Sequence, residues 1–161
     1  MPDSSDSPVS PGFPVRGRLL GIDFGTKRLG LAISNPEQTI SSPLENYTRR
    51  DLAQDARHIR RLVQDERIVG VVIGLPVHMS GDEGGKASEA RAFGNWIAAE
   101  TKLPVMYWDE RYTSLQAEQT MLSAELTPKQ RKARRDMVAA QILLRDFLNG
   151  DRQATSFGAL R

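Results

Sequence analysis

At 161 residues, 39% of them hydrophobic, the chain is sized for one globular domain with its own core and has no room for two. The absence of cysteine excludes thiol catalysis, zinc–thiolate centres and disulfides, and suits a reducing cytoplasm. With 22 Lys and Arg against 20 Asp and Glu, the net charge of +2 permits polyanion binding only through local clusters, and no apolar run approaches the ~18 residues of a membrane span.

Residues 1–17 are rich in Ser, Pro and Asp, lack the apolar segment of a signal peptide, and read as a disordered leader. The domain is expected over 18–150, with a flexible tail over 151–161. Leu19–Phe24 and Leu29–Ser34 are short apolar runs joined by Gly25-Thr26-Lys27-Arg28, the pattern of a hairpin. A third extended segment, Thr39–Tyr47, follows the turn signal Asn35-Pro36. From Asp51 to Glu66, Leu52, Ala56, Ile59, Leu62 and Val63 recur at helical spacing. Val69–Leu75 is a continuous β-branched run, as in a strand covered on both sides. A glycine-rich loop, Pro76–Gly85, precedes helical spacing through Ala90, Phe93 and Ile97.

Pro104–Trp108 is a further short strand that runs into Asp109-Glu110-Arg111. Thr113 with Gln116 predicts a capping box. Thr127-Pro128 predicts an N-cap with proline at the first helical position, opening a long helix to about Leu148 that Asn149-Gly150 closes. The order β-β-β-α-β-α-β-α-α implies a mixed five-stranded sheet, three antiparallel strands followed by two connected through helices. Ligands of open sheets gather at strand ends, where Asp109 and Glu110 fall.

Three acids break the pattern of their surroundings. Asp23 interrupts a buried strand; Ile22 and Phe24 share one face, so Asp23 projects from the other. Such a carboxylate requires a donor, a base or a metal. Asp136 falls on the apolar stripe of the last helix, below Ala140 and Leu143, where its alternative is an ion pair with Lys132. Asp109 or Glu110 supplies the third, although capping is the commoner role for Asp109. If the three converge, their repulsion calls for a shared proton or a hard cation, and carboxylate oxygens suit Mg²⁺ or Mn²⁺. Such a site can hydrolyse phosphodiesters. Lys27 and Arg28 follow Asp23, Arg111 follows Glu110, and Lys129, Arg131, Lys132, Arg134 and Arg135 crowd the turns before Asp136. Cations flanking an acidic centre are what a phosphate backbone needs, against the alternative of a merely solvated face. His58 reads as solvated surface, His78 as a loop residue and Trp108 as core, while Tyr112 could stack on a base.

The blocks Gly21-Ile22-Asp23-Phe24-Gly25-Thr26-Lys27-Arg28-Leu29-Gly30, Gly74-Leu75-Pro76 with Met79 and Gly81, Asp109-Glu110-Arg111 with Thr113, and Asp136 followed by Ala139-Ala140 and Ile142-Leu143 resemble the YqgF/RuvX family of ribonuclease H-like nucleases. The resemblance spans about 18–149. It implies a ribonuclease H-like α/β fold and a cytoplasmic, metal-dependent nuclease acting on structured RNA or branched DNA. Maturation of the 5′ end of pre-16S ribosomal RNA is the activity assigned to the family, and Holliday-junction resolution is the alternative. It further implies Asp23, Glu110 and Asp136 as catalytic metal ligands, with Asp109 less firmly so. Junction resolvases carry a fourth-strand acid where this chain has Gly74-Leu75-Pro76, and a second acid in the last helix where it has Ala139.

Two other readings compete. The opening Gly-Ile-Asp-Phe-Gly-Thr also resembles the first phosphate loop of actin-like ATPases and sugar kinases, but the chain is too short for their paired domains. A nucleic-acid-binding factor without catalysis, in ribosome assembly or transcription, would gain nothing from a carboxylate cluster. A homodimer would suit symmetric cleavage of two strands, although no interface pattern stands out.

Overall fold

The computed structural model describes residues 13–75, 84–109 and 127–150. Its strands are β1 (Arg18–Asp23), β2 (Arg28–Ser34), β3 (Ser41–Thr48), β4 (Ile68–Leu75) and β5 (Val105–Asp109), and its helices α1 (Leu52–Glu66), α2 (Gly85–Thr101) and α3 (Pro128–Asn149). The five strands form one sheet in the order β3-β2-β1-β4-β5. β1, β2 and β3 pair antiparallel; β4 lies parallel to β1, and β5 parallel to β4. The expected mixed sheet is therefore present. The helix expected at Thr113, the Pro76–Gly85 loop up to residue 83, and residues 1–12 and 151–161 lie outside the described residues.

Each face of the sheet carries its own core. Leu20, Ile22, Leu29, Leu31, Val71 and Ile73 meet Ile59 of α1 and Ala90, Phe93 and Ile97 of α2. On the other face Leu19, Ala32, Val72, Met106 and Trp108 meet Ala140, Leu143, Leu144 and Phe147 of α3. β1 and β4 are covered on both sides, which is why they read as continuous apolar runs. β3 is an edge strand and can therefore hold Pro43, beside a register shift in its partner β2.

The boundaries differ from expectation where side chains intervene. β3 starts at Ser41, not Thr39, because the Asn35 Oδ1 accepts the N–H groups of Thr39 and Ile40 and draws both into the turn. Asp51 is not the first helical residue of α1 but its N-cap, its carboxylate accepting the Gln54 N–H at 2.8 Å. Leu52, expected on the apolar stripe, is 60% exposed, and the buried stripe of α1 begins at Asp55 and Ala56. Thr127 caps α3 as expected, and Gln130 completes a capping box around it. Gly150 closes α3 in an extended conformation rather than the left-handed one a glycine cap predicts. Phe13, expected within the leader, packs edge-on against Phe147 at 5.8 Å. Among the described residues, no helix is long and apolar enough to cross a membrane.

Candidate metal and nucleic-acid site

Asp23 is the last residue of β1, the strand at the centre of the sheet. Alternation along β1 sends Leu20 and Ile22 into the α1–α2 core, while Gly21 faces α3 and Asp23 follows it on that side. On β2 its register partner is Gly30; on β4 the residue beyond the Ile22–Ile73 pair is Gly74. Neither flanking position carries a side chain, so the half-buried Asp23 carboxylate has no Cβ neighbour beside it in its own row. An acid at a strand end between two glycines meets no side chain from those two positions, and its hard oxygens match Mg²⁺ or Mn²⁺.

The turn after Asp23 is fixed from two directions. A Cβ on Gly25 would lie 2.6 Å from the Arg28 carbonyl oxygen, so only glycine permits this tight reversal. From the other side Arg49 reaches in: its Nη1 donates to the Gly25 carbonyl at 3.4 Å, and its backbone N–H to the Lys27 carbonyl at 2.9 Å. The Arg49 guanidinium rests over the rings of Phe24 and Phe93, at 5.6 and 5.3 Å from their centroids. It also donates to Asp55 at 3.1 Å, a carboxylate only 1% exposed.

Asp55 was not legible as special, yet it is the buried acid that organises this corner. It accepts from the Tyr47 hydroxyl at 2.8 Å and the Arg50 N–H at 2.9 Å, besides Arg49. Burial pushes its carboxyl up, but these three donors outweigh burial and hold it below the usual value. Tyr47 is driven the other way, to about 12, by burial and by the Asp55 carboxylate it serves. The sequence signal was available: Asp55 sits four residues before Ile59, on the inward face of α1. His58 also differs from its solvated reading. It stacks on Tyr47 at 4.2 Å between centroids, and its Nε2 lies 2.8 Å from Glu45 Oε1.

The remaining expected site residues divide into four groups. Lys27 is exposed and Arg28 half-buried, both at the Asp23 end of the sheet. Asp109 ends β5 opposite Leu75, and alternation places it with Tyr107 on the α1–α2 face, away from Asp23. Glu110 and Arg111 lie outside the described residues. Arg131, Lys132, Arg134, Arg135 and Asp136 belong to the early turns of α3, after the exposed Lys129, with their backbone alone described. Position 136 precedes the buried Ala140 and Leu143 by four and seven residues. Helix α3 meets β1 closely there: a Cβ on Gly21 would lie 3.0 Å from Leu144 Cβ and 3.3 Å from the Ala140 carbonyl oxygen. Among the described residues, no three His, Asp or Glu side chains come together. Trp108, 5% exposed, is core as expected.

T. thermophilus RuvC, solved in complex with a Holliday junction substrate, superposes on 83% of this chain and 94% of its own, with a TM-score of 0.53 at 16% identity. The class is thereby defined: an α/β protein of ribonuclease H-like fold. Residues 17–150 match the RuvX family, described as Holliday junction resolvase, and the chain belongs to that family. Three relatives bear the name "Putative pre-16S rRNA nuclease". That of Rhodopirellula baltica is 41% identical over 141 residues, 88% of this chain and 82% of its own. That of Rhodobacter capsulatus is 39% identical over 136 residues, 84% of this chain and 86% of its own. The Koribacter versatilis relative is 36% identical over 134 residues, 83% of this chain and 88% of its own.

Proposed function

We propose that this chain is a divalent-metal-dependent endonuclease that hydrolyses phosphodiesters of structured RNA, the 5′ end of pre-16S ribosomal RNA being its substrate. One observation carries the reading: Asp23, at the carboxyl end of the central strand and flanked by Gly30 and Gly74, in a chain whose relatives bear that name. Asp23, Glu110 and Asp136 would hold the ion. Alternation puts Asp109 on the opposite face, which favours its chain neighbour Glu110 as the third ligand. Position 136 supports its own assignment by lying one helical turn before the contact of Ala140 with Gly21, two residues from Asp23. When bound, Mg²⁺ or Mn²⁺ supplies an activated water and stabilises the leaving oxygen. Lys27, Arg28, Arg111, Lys129, Arg131, Lys132, Arg134 and Arg135 neutralise phosphates around the acids, in the cytoplasm where that RNA is made.

The family description favours a second reading, resolution of four-way DNA junctions. The two differ in assembly: symmetric cuts in two strands call for a homodimer, a single cut near one RNA end does not. The deciding measurement offers precursor RNA with its 5′ extension, a four-way DNA junction and a plain duplex, each with Mg²⁺, Mn²⁺ or EDTA. The RNA should be cut with either metal and spared with EDTA. Asp23→Asn, at unchanged melting temperature, should slow cleavage on the order of 10³-fold, about 4 kcal/mol of barrier. Cleavage that survives EDTA, or Asp23→Asn at the wild-type rate, defeats the assignment.

A further inference from the structure

A second cationic surface lies outside the acidic centre. Between β3 and α1 runs an open groove of about 480 Å³, lined by Glu45, Tyr47, His58, Arg50, Arg57 and Arg61 among others. Arg50, Arg57 and Arg61 are exposed, and none pairs with a carboxylate among the described residues. By contrast Arg49 and Arg60 are committed, to Asp55 and Glu100. The acid in the groove, Glu45, is already engaged by His58.

The groove begins where the Asp23 turn ends. Thr48 of β3 pairs with Arg28 of β2, and the Arg49 N–H is bound to the Lys27 carbonyl, so Lys27, Thr48 and Arg50 bridge the sheet rim from Asp23 to the mouth of the groove. Two strand spacings separate β1 from β3, about 10 Å. From there Gln54, Arg57 and Arg61 descend one face of α1 at three- and four-residue spacing, about 10 Å of axis.

The groove offers mainly charge. Of its two rings, Tyr47 is 8% exposed with its hydroxyl spent on Asp55, and the half-buried His58 stacked over it is held by Glu45. Surfaces for single strands display aromatic faces on which bases stack. This one displays guanidinium groups, which fit phosphate oxygens in bidentate fashion. We propose that the β3–α1 groove is a phosphate track for a base-paired RNA stem, holding the backbone that leaves the Asp23 site round the rim of β3. The proposal rests on the RNA-nuclease reading for its choice of RNA, and on the groove for the rest.

The test measures binding of a 20-base-pair RNA stem across a salt series for the full chain and for Arg50→Gln/Arg57→Gln/Arg61→Gln. The salt slope should fall by roughly two to three units and the low-salt affinity at least about ten-fold. Restoring charge with Lys at the same positions should recover most of the slope. Arg60→Gln, which removes a paired cation from the same helix, should change neither. All variants should melt with the wild type, since these side chains are exposed. An unchanged slope in the triple variant overturns the proposal, as does an equal loss in Arg60→Gln. Weakened binding to a four-way DNA junction with the RNA stem unaffected overturns the choice of RNA. A loss of slope in a protein that cuts none of the three substrates with either metal would sustain the groove and remove the nuclease assignment, so the two failures are distinguishable.

Discussion

Arg49 shows how much one side chain can carry near a strand end. It donates to Asp55 and Gly25, covers Phe24 and Phe93, and so ties the Asp23 turn to α1 and α2. Arg49→Met would keep the apolar contact but strand Asp55 with less compensation. The expected cost is about 3 kcal/mol, measured by urea denaturation, because a buried carboxylate loses its cation. The same variant should begin acid unfolding at a higher pH, as the Asp55 carboxyl is no longer held so low. At this scale the sequence was legible only in part. Asp23 declared itself by interrupting an apolar strand, and Trp108 declared itself core. Asp55 was hidden because an acid in a charged, amphipathic helix looks ordinary, and its donors Tyr47, Arg49 and Arg50 come from the chain before it.

Among the elements, α3 and β1 stand in the closest contact that bears on the site. Gly21 lets the helix approach, with Leu144 Cβ and the Ala140 carbonyl both within 3.3 Å of where a Cβ would sit. Both obstacles are fixed to the helix backbone, so Gly21→Ala must push α3 outward. A cost of about 1–3 kcal/mol is expected from overpacking. If Asp23 and Asp136 share an ion, cleavage should fall further than stability accounts for, read as kcat at a temperature where the variant remains folded. Wild-type kcat in a destabilised Gly21→Ala would separate the two acids. Element types were legible throughout the described residues, because periods of two and 3.6 survive in single segments. Boundaries were not, where Asn35 and Asp51 recruited neighbouring backbone, nor was the bulged pairing of β3, which depends on its partner strand.

For the molecule as a whole, Asp55 and Tyr47 contribute at opposite ends of the pH range. Asp55 has a lowered carboxyl, so its contribution is present above its unfolded value of 3.8 and fades as pH falls through the folded one. Tyr47 is raised to about 12 from 10.0, so its contribution is whole below pH 10 and fades as pH rises toward 12. Stability should therefore be flat through neutrality, dropping at both extremes. Tyr47→Phe should flatten the alkaline limb between pH 10 and 12, followed by urea midpoint; an unaltered limb would assign that limb to other groups. The make-up of the sheet, three antiparallel strands and then two joined through helices, was legible from the succession of elements, whereas the order of its strands came from the structure. What the sequence left open was the choice between Asp109 and Glu110, and alternation along β5 puts Asp109 on the α1–α2 face.

The nesting of Arg49 between Phe24 and Phe93 also bears on how the protein breathes. The turn behind Asp23 is joined to α1 through this guanidinium, and to α2 both through it and through the direct packing of Phe24 on Phe93, so it belongs to the same cooperative unit as they do. The Arg49 amide, bound to Lys27, should exchange its hydrogen on the timescale of α1 amides rather than that of a surface loop. Arg49→Met should release it into fast local opening while the centre of β1 stays protected. The carboxylate proposed to hold the metal would then owe its steadiness to a side chain to which it is not hydrogen-bonded.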